Sequence, residues 1–203
     1  MNIGLINTLT SNIKSVFNAL DKLGYNGQYE EIFEYTKKNY THLIFPGNGN
    51  YQANIKTLQD KKIDLFLSEN FKKNTLYLGI CVGMQILSSQ GEEGNVTEGT
   101  NIIEGNVEKI NTLKYRLPHI GWNNIDIKQN DNLLINITKE DTFYFLHSYA
   151  FRVKRSKNVL ATTSYGSEFS SIVKNKNFYG VQFHTEKSQN SGLKLIQNFL
   201  NMK

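Results

Sequence analysis

Three short apolar runs set the frame of this chain: Asn2–Asn7 (NIGLIN), His42–Phe45 (HLIF) and Thr75–Ile80 (TLYLGI). Each is apolar through its middle without alternating, so each suits a strand buried on both faces. Helical spacing follows every one of them. After the first, Ile13, Val16, Phe17, Leu20 and Leu23 recur at three- and four-residue steps, with Thr10 or Ser11 as N-cap candidate and Gly24 beyond the end. Tyr51–Leu58 and Ile63–Phe71 follow the second run, and Val82–Ser89 the third. This order predicts an α/β fold, an open and mostly parallel sheet with helices on both faces.

After Gly91 the texture changes. Gly, Asn, Glu and Thr dominate to about Gly105, then short alternating runs take over at Val107–Ile110, Ile125–Ile127 and Phe143–Leu146. Val159–Tyr165, Phe169–Lys174 and Phe178–Phe183 read as successive antiparallel strands, with turn signals at Gly166 and Asn175. Ser191–Asn201 closes the chain as an amphipathic helix. No repeat, linker or boundary interrupts it, so 203 residues are expected to form one domain, 1–203.

The formal net charge of +5 raises the question of nucleic acid. The cations are mostly scattered doublets (Lys37-Lys38, Lys61-Lys62, Lys72-Lys73), densest from Arg152 to Lys157, and no recognition helix or aromatic-basic platform accompanies them. A solvated face, or steering toward an acidic partner, accounts for the charge without nucleic acid. The single cysteine excludes an intramolecular disulfide. The N-terminal apolar run is too short for a signal peptide and no stretch approaches membrane-spanning length, so a cytoplasmic chain with no membrane association is expected.

That cysteine stands in Gly79-Ile80-Cys81-Val82-Gly83, the spacing of a nucleophile elbow with thiol in place of hydroxyl. Glycines suit a strand-to-helix corner so sharp that Cβ atoms would collide. The corner would lift Sγ off the sheet edge to a helix N-terminus, where the dipole favours an anion. The next N–H, that of Val82, could receive a developing oxyanion. A lone cysteine is otherwise a small buried hydrophobe. Near the far end, Gly180-Val-Gln-Phe-His184-Thr-Glu186 supplies a base and an orienter. In an extended segment His184 and Glu186 would share a face, one ring nitrogen bonding the carboxylate and the other facing the thiol. The histidines and the cysteine show no metal-ligand spacing, and no cofactor is called for.

Gly79-Ile-Cys-Val-Gly-Met-Gln85 with His184-Thr-Glu186 resembles the class I (triad) glutamine amidotransferases. Pro118-His-Ile-Gly-Trp-Asn123, Tyr144-Phe-Leu-His-Ser-Tyr149, Glu186-Lys-Ser-Gln189 and Pro46-Gly-Asn-Gly49 narrow the resemblance to the glutaminase subunits of imidazole glycerol phosphate synthases, over essentially the whole chain. It implies a flavodoxin-like domain that hydrolyses glutamine and passes ammonia to a (β/α)₈-barrel cyclase in a heterodimer. By position it assigns Cys81, His184 and Glu186 to catalysis, and the backbone of Asn48 and Val82 to an oxyanion hole. Gly47, Gly49, Gln85, Glu93, His147, Ser148 and Tyr149 fall to the substrate, with Glu92 beside Glu93 leaving that alignment open by one residue. Asn12, Trp122, Asn123, Tyr144 and Lys187 match partner-facing positions, although a lone tryptophan also suits a core.

Three positions depart from the pattern. Asn7-Thr8-Leu9 replaces a usual Asp-Tyr-Gly, at the mouth where relatives meet their partner. Thr185 replaces a proline. Asn48 replaces an aliphatic residue, and because Asn tolerates positive φ this peptide is expected to flip at low cost, making glutaminase activity partner-dependent. The first departure keeps open an amidotransferase subunit that supplies ammonia for sugar amination in surface-polysaccharide synthesis. A non-catalytic binding subunit and a cysteine peptidase are the readings from other classes, weighed against by the intact Cys81, His184 and Glu186 set and by Gln85 and Glu93.

Overall fold

The computed structural model describes residues 1–8 and 13–203. The chain opens with β1 (Ile3–Ile6), α1 (Ile13–Lys22), β2 (Tyr29–Ile32), β3 (His42–Gly47), α2 (Tyr51–Asp60), α3 (Ile63–Lys72), β4 (Leu76–Cys81) and α4 (Val82–Gln85). Short strands β5 (Gln90–Gly91) and β6 (Thr97–Glu98) lead to β7 (Gly105–Lys109), β8 (His119–Asn124) and β9 (Asp126–Ile127). Then come β10 (Thr142–His147), β11 (Tyr149–Val153), β12 (Val159–Tyr165), β13 (Ser167–Asn175), β14 (Phe178–Val181) and α5 (Gln189–Leu200).

The main sheet runs β2-β1-β3-β4-β14-β13-β12-β9. Pairs from β2 through β14 are parallel and the rest antiparallel. β1, β3, β4 and β14 are buried along their whole length, which is why their sequences do not alternate. β14 forms the expected antiparallel pair with β13, and also a parallel one with β4 that local patterning could not show. A two-stranded ribbon, β10-β8, and a four-stranded sheet, β11-β7-β5-β6, complete the molecule. β2, β8 and β11 were not anticipated: their polar and aromatic residues give no clean period. The N-cap candidates Thr10 and Ser11, with Leu9 and Asn12, lie outside the described residues. No helix among the described residues is long and apolar enough to cross a membrane.

Candidate active site

β4 delivers the chain to Cys81, and the turn holds that residue at φ 55 and ψ −110. For an L-residue this costs on the order of 1–3 kcal/mol and persists only where the surroundings impose it. A Cβ on Gly79 would lie 2.1 Å from the Gly83 carbonyl oxygen, and one on Gly83 2.2 Å from that of Phe45. Both corner positions therefore require glycine. Tyr77, fully buried, donates its O–H to the Gly83 carbonyl at 2.7 Å and pins the turn. α4 is a single turn rather than the expected Val82–Ser89. The carbonyls of Ile86, Leu87, Ser88 and Ser89 accept instead from Thr100, Ile103, Asn101 and Gly99, so the helix cannot propagate, and its dipole acts on the sulfur through one turn only.

His184 reaches this corner through the parallel pairing of β14 with β4. Its Nδ1 lies 2.8 Å from Glu186 Oε1, with the two side chains 4% and 1% exposed. The contact does not arise from strand phasing. β14 ends at Val181, and Thr185–Lys187 forms a 3₁₀ turn that folds the carboxylate back against the ring. The His184 backbone is anchored as well: its N–H donates to the Tyr144 carbonyl at 2.9 Å, and its own carbonyl accepts from Ser188 Oγ at 2.6 Å. Burial disfavours the charged ring, but charge and hydrogen bonding at Cys81 and then at Glu186 outweigh it and push its pKa up to about 10. Nε2 makes no hydrogen bond of ordinary geometry, yet the sulfur is near enough to govern the ring's charge. The site favours a charged His184 ring set between the sulfur and a buried carboxyl group.

Gly47 pairs with Cys81 in the β3–β4 register, so the loop that follows β3 hangs beside that cysteine. The residue with positive φ in this loop is Gly49, at φ +78. The Asn48–Gly49 peptide is held at both ends. Its oxygen accepts from buried Asn54 Nδ2 at 2.9 Å, and its N–H donates to Asn48 Oδ1 at 2.9 Å. A flip here must break both bonds, so it is not cheap. Glu93 and Glu92, ambiguous in sequence, separate in space. Glu93 Oε2 accepts from Tyr51 N at 2.8 Å at the start of α2, beside this loop, whereas exposed Glu92 accepts from Lys109 N at 2.7 Å. Burial raises the Glu93 pKa, and the Tyr51 N–H partly offsets this.

On the other side of the sulfur, side chains interlock. The Tyr149 carbonyl accepts from Gln85 Nε2 at 3.0 Å and approaches His147 Nδ1 at 2.8 Å. His147 Nε2 meets His119 Nδ1 at 3.2 Å. Burial lowers the His119 pKa to about 4. Burial, with the charges of His119 and His184, lowers that of His147 to about 3 against the pull of the Tyr149 carbonyl. Both rings are neutral, so their tautomers follow: His147 Nδ1–H donates to Tyr149 and His119 Nδ1–H donates to His147. Gln85, 2% exposed, also donates to Gln182 Oε1 at 3.0 Å, and Gln182 Nε2 lies 3.7 Å from Cys81 Sγ. Its amide nitrogen is thus engaged within the protein rather than held out to a substrate. The Ser148 carbonyl accepts from Ile110 N at 2.9 Å. Gln182 was not singled out from sequence. A polar residue inside an apolar strand was the signal that could have found it.

Of the positions the resemblance assigns to a partner interface, Trp122 and Tyr144 are cross-strand partners on the ribbon, ring centroids 5.9 Å apart, and Lys187 Nζ lies 6.0 Å from the Tyr144 ring. Trp122 is 46% exposed and so is not core. Strand alternation turns Asn123 the other way, and its amide donates to the Ser164 carbonyl at 3.1 Å. Asn12 lies outside the described residues. The basic run from Arg152 is met locally, with Arg152 on the Glu168 carbonyl and Lys154 and Arg155 on Glu104.

The family model of class-I glutamine amidotransferases matches residues 4–202. The chain is 37% identical over 205 residues to imidazole glycerol phosphate synthase subunit HisH of Leptospira borgpetersenii, covering 98% of this chain and 100% of that one. It is 39% identical over 202 residues to the HisH subunit of Haemophilus influenzae strain Rd, covering 98% and 97%. Among solved structures, PurLQS from Thermotoga maritima superposes with a TM-score of 0.76 at 20% identity over 98% of this chain and 97% of that one, a likeness of fold. With a match running nearly end to end and relatives well above a third identical, the chain belongs to the class-I glutamine amidotransferase family.

Proposed function

We propose that this chain is the glutaminase subunit of an imidazole glycerol phosphate synthase. It hydrolyses glutamine to glutamate and ammonia in the cytoplasm and hands the ammonia to a (β/α)₈-barrel cyclase, which makes imidazole glycerol phosphate and an aminoimidazole carboxamide ribotide in histidine biosynthesis. The observation that carries the reading is the convergence of Cys81, His184 and Glu186 from distant parts of the sequence into one buried cluster. The HisH relatives' names support the choice of pathway.

Cys81 Sγ attacks the side-chain amide carbon of glutamine. His184 Nε2–H gives its proton to the departing ammonia, leaving a thioester. The neutral ring then takes a proton from water, which displaces the sulfur and releases glutamate. Glu186 fixes the ring through Nδ1 in both steps, as the third member of a triad does. Backbone N–H groups at Val82 and in the Asn48 loop receive the oxyanion. The Glu93 carboxylate suits the substrate's α-ammonium, and the remaining contacts fall to Gly47, Gly49, Gln85 and the segment His147, Ser148 and Tyr149. Trp122, Tyr144 and Lys187 face the cyclase, and the resemblance assigns Asn12 and Asn123 to the same interface.

The test is glutamine hydrolysis with a cyclase subunit present, with Cys81→Ala as control, and complementation of a histidine auxotroph lacking its own glutaminase subunit. Growth and Cys81-dependent hydrolysis are expected. Hydrolysis without growth, in well-expressing cells, would move the chain to the sugar-amination pathway. No hydrolysis with either partner would leave the binding-subunit reading.

A further inference from the structure

We propose that Gln182 is a further catalytic residue, a fixed amide that donates an N–H to the Cys81 sulfur and holds the negative charge of the thiolate. The inference rests on Cys81 being the nucleophile, as argued above. The register of β14 on β4 places Val181 opposite Ile80, so the next residue on each strand, Gln182 and Cys81, stand level. Gln182 is wholly buried, and its backbone N–H is tied to the Ser171 carbonyl at 2.9 Å. Burying a carboxamide is unfavourable unless its polar atoms are satisfied, and this one has named partners on both sides.

The direction of the amide is fixed by its surroundings. A backbone carbonyl can only accept, so the Gln85 atom facing Tyr149 O is its NH₂. The same nitrogen lies 3.0 Å from the Gln182 amide and must meet its oxygen there. The Gln182 atom facing the sulfur, 3.7 Å away, is therefore its nitrogen. Turning Gln182 over would set two NH₂ groups against each other and point an oxygen lone pair at a thiolate. The Tyr149 carbonyl is itself held by the neutral His147, so each orientation in the series follows from the one before. A donor besides His184 is what the thiolate needs. It stays in place when the imidazolium has given up its proton, and can steady the sulfur as it leaves the thioester.

Two variants and one wild-type measurement test this. Gln182→Met keeps the bulk and removes the donor, and Gln182→Glu replaces the donor with a carboxylate. The rate of alkylation by iodoacetamide is followed against pH, together with glutamine hydrolysis in the cyclase complex. Hydrogen bonds to charged groups at the weak end of their range are worth about tenfold. The midpoint of alkylation is thus expected to rise by about one pH unit in Gln182→Met and further in Gln182→Glu, with kcat down about tenfold or more and KM changed less than about threefold. A folded Gln182→Met with the wild-type midpoint overturns the proposal, as does an equal shift in both variants, which side-chain volume alone would give. Should both variants fail to fold, the ¹⁵N resonance of the Gln182 carboxamide in wild-type protein decides. It moves on alkylation of Cys81 if the contact exists, and a stationary resonance overturns it. Because alkylation needs no glutamine, a wild type that hydrolyses none refutes the proposed function and leaves this result readable.

Discussion

Val181 lies opposite Ile80 in the parallel pairing of β14 with β4, and that one register brings Gln182 level with Cys81, 101 residues away in sequence. His184 follows two residues later, beyond the strand end, where a turn rather than a strand sets its side chain. The site is thus built by non-local strand pairing first and local turn geometry second.

The backbone at Cys81 carries strain that its side chain does not need. At φ 55 and ψ −110, glycine is far more at ease than any residue with a Cβ. Cys81→Gly is expected to be more stable than Cys81→Ala by about 1 kcal/mol, both lacking hydrolysis. Urea unfolding of the two variants measures it, and equal midpoints would show that the corner is unstrained.

The pair at the site makes stability fall on the alkaline side. Burial opposes the charged His184 ring, but Cys81 and Glu186 outweigh it and lift its pKa from 6.5 to about 10. The folded ring keeps a proton that an unfolded histidine has lost, but the proposed thiolate beside it has given up one that an unfolded thiol keeps to about pH 8.5, so stability holds level to that point and drops as pH rises from there to about 10. Cys81→Ala removes the leading support of the charged ring and should flatten the slope. Unfolding free energies from pH 6.5 to 10 check the sign.

The neighbouring histidines act in the opposite direction. Burial holds His119 at about 4 and His147 at about 3, so below pH 6.5 the unfolded chain takes up protons that the folded one refuses, and stability falls as pH falls. His119→Gln removes one of these groups. It should lessen the loss between pH 6.5 and 4, read from thermal unfolding at a series of pH values.

The half-exposed Trp122 is expected to matter for association and little for folding. Trp122→Ala should weaken cyclase binding by about 2 kcal/mol or more while moving the unfolding midpoint only slightly. Calorimetric titration with the cyclase and a melting curve separate the two effects.

Much of this was legible in the sequence, for physical reasons. The apolar runs ending at Phe45 and Ile80 suit strands covered on both faces, and glycines two residues either side of Cys81 mark a corner that no Cβ fits. His184 and Glu186 were legible as a pair, but through strand phasing, whereas the contact comes from the turn at Thr185–Lys187. What stayed hidden was non-local. No local pattern says that Phe178–Val181 pairs with β4, that the segment from Gly99 to Ile103 caps α4 after one turn, or that Asn54 reaches back to the Asn48 carbonyl. Asn123 was grouped with Trp122 by the resemblance, and the strand's alternation sends their side chains to opposite faces.

Tyr144 faces Trp122 across the ribbon and forms a β-bridge to His184, while its N–H donates to Ser188 Oγ at 3.0 Å. One residue thus belongs both to the outer aromatic pair and to the scaffold of the imidazole. The ribbon is not an appendage that could be trimmed, grafted or redesigned for a new partner by itself. Any alteration that displaces the Tyr144 backbone removes a strut from beneath the His184 ring, so the exposed aromatic pair and the buried cluster are inherited as a single mechanical part.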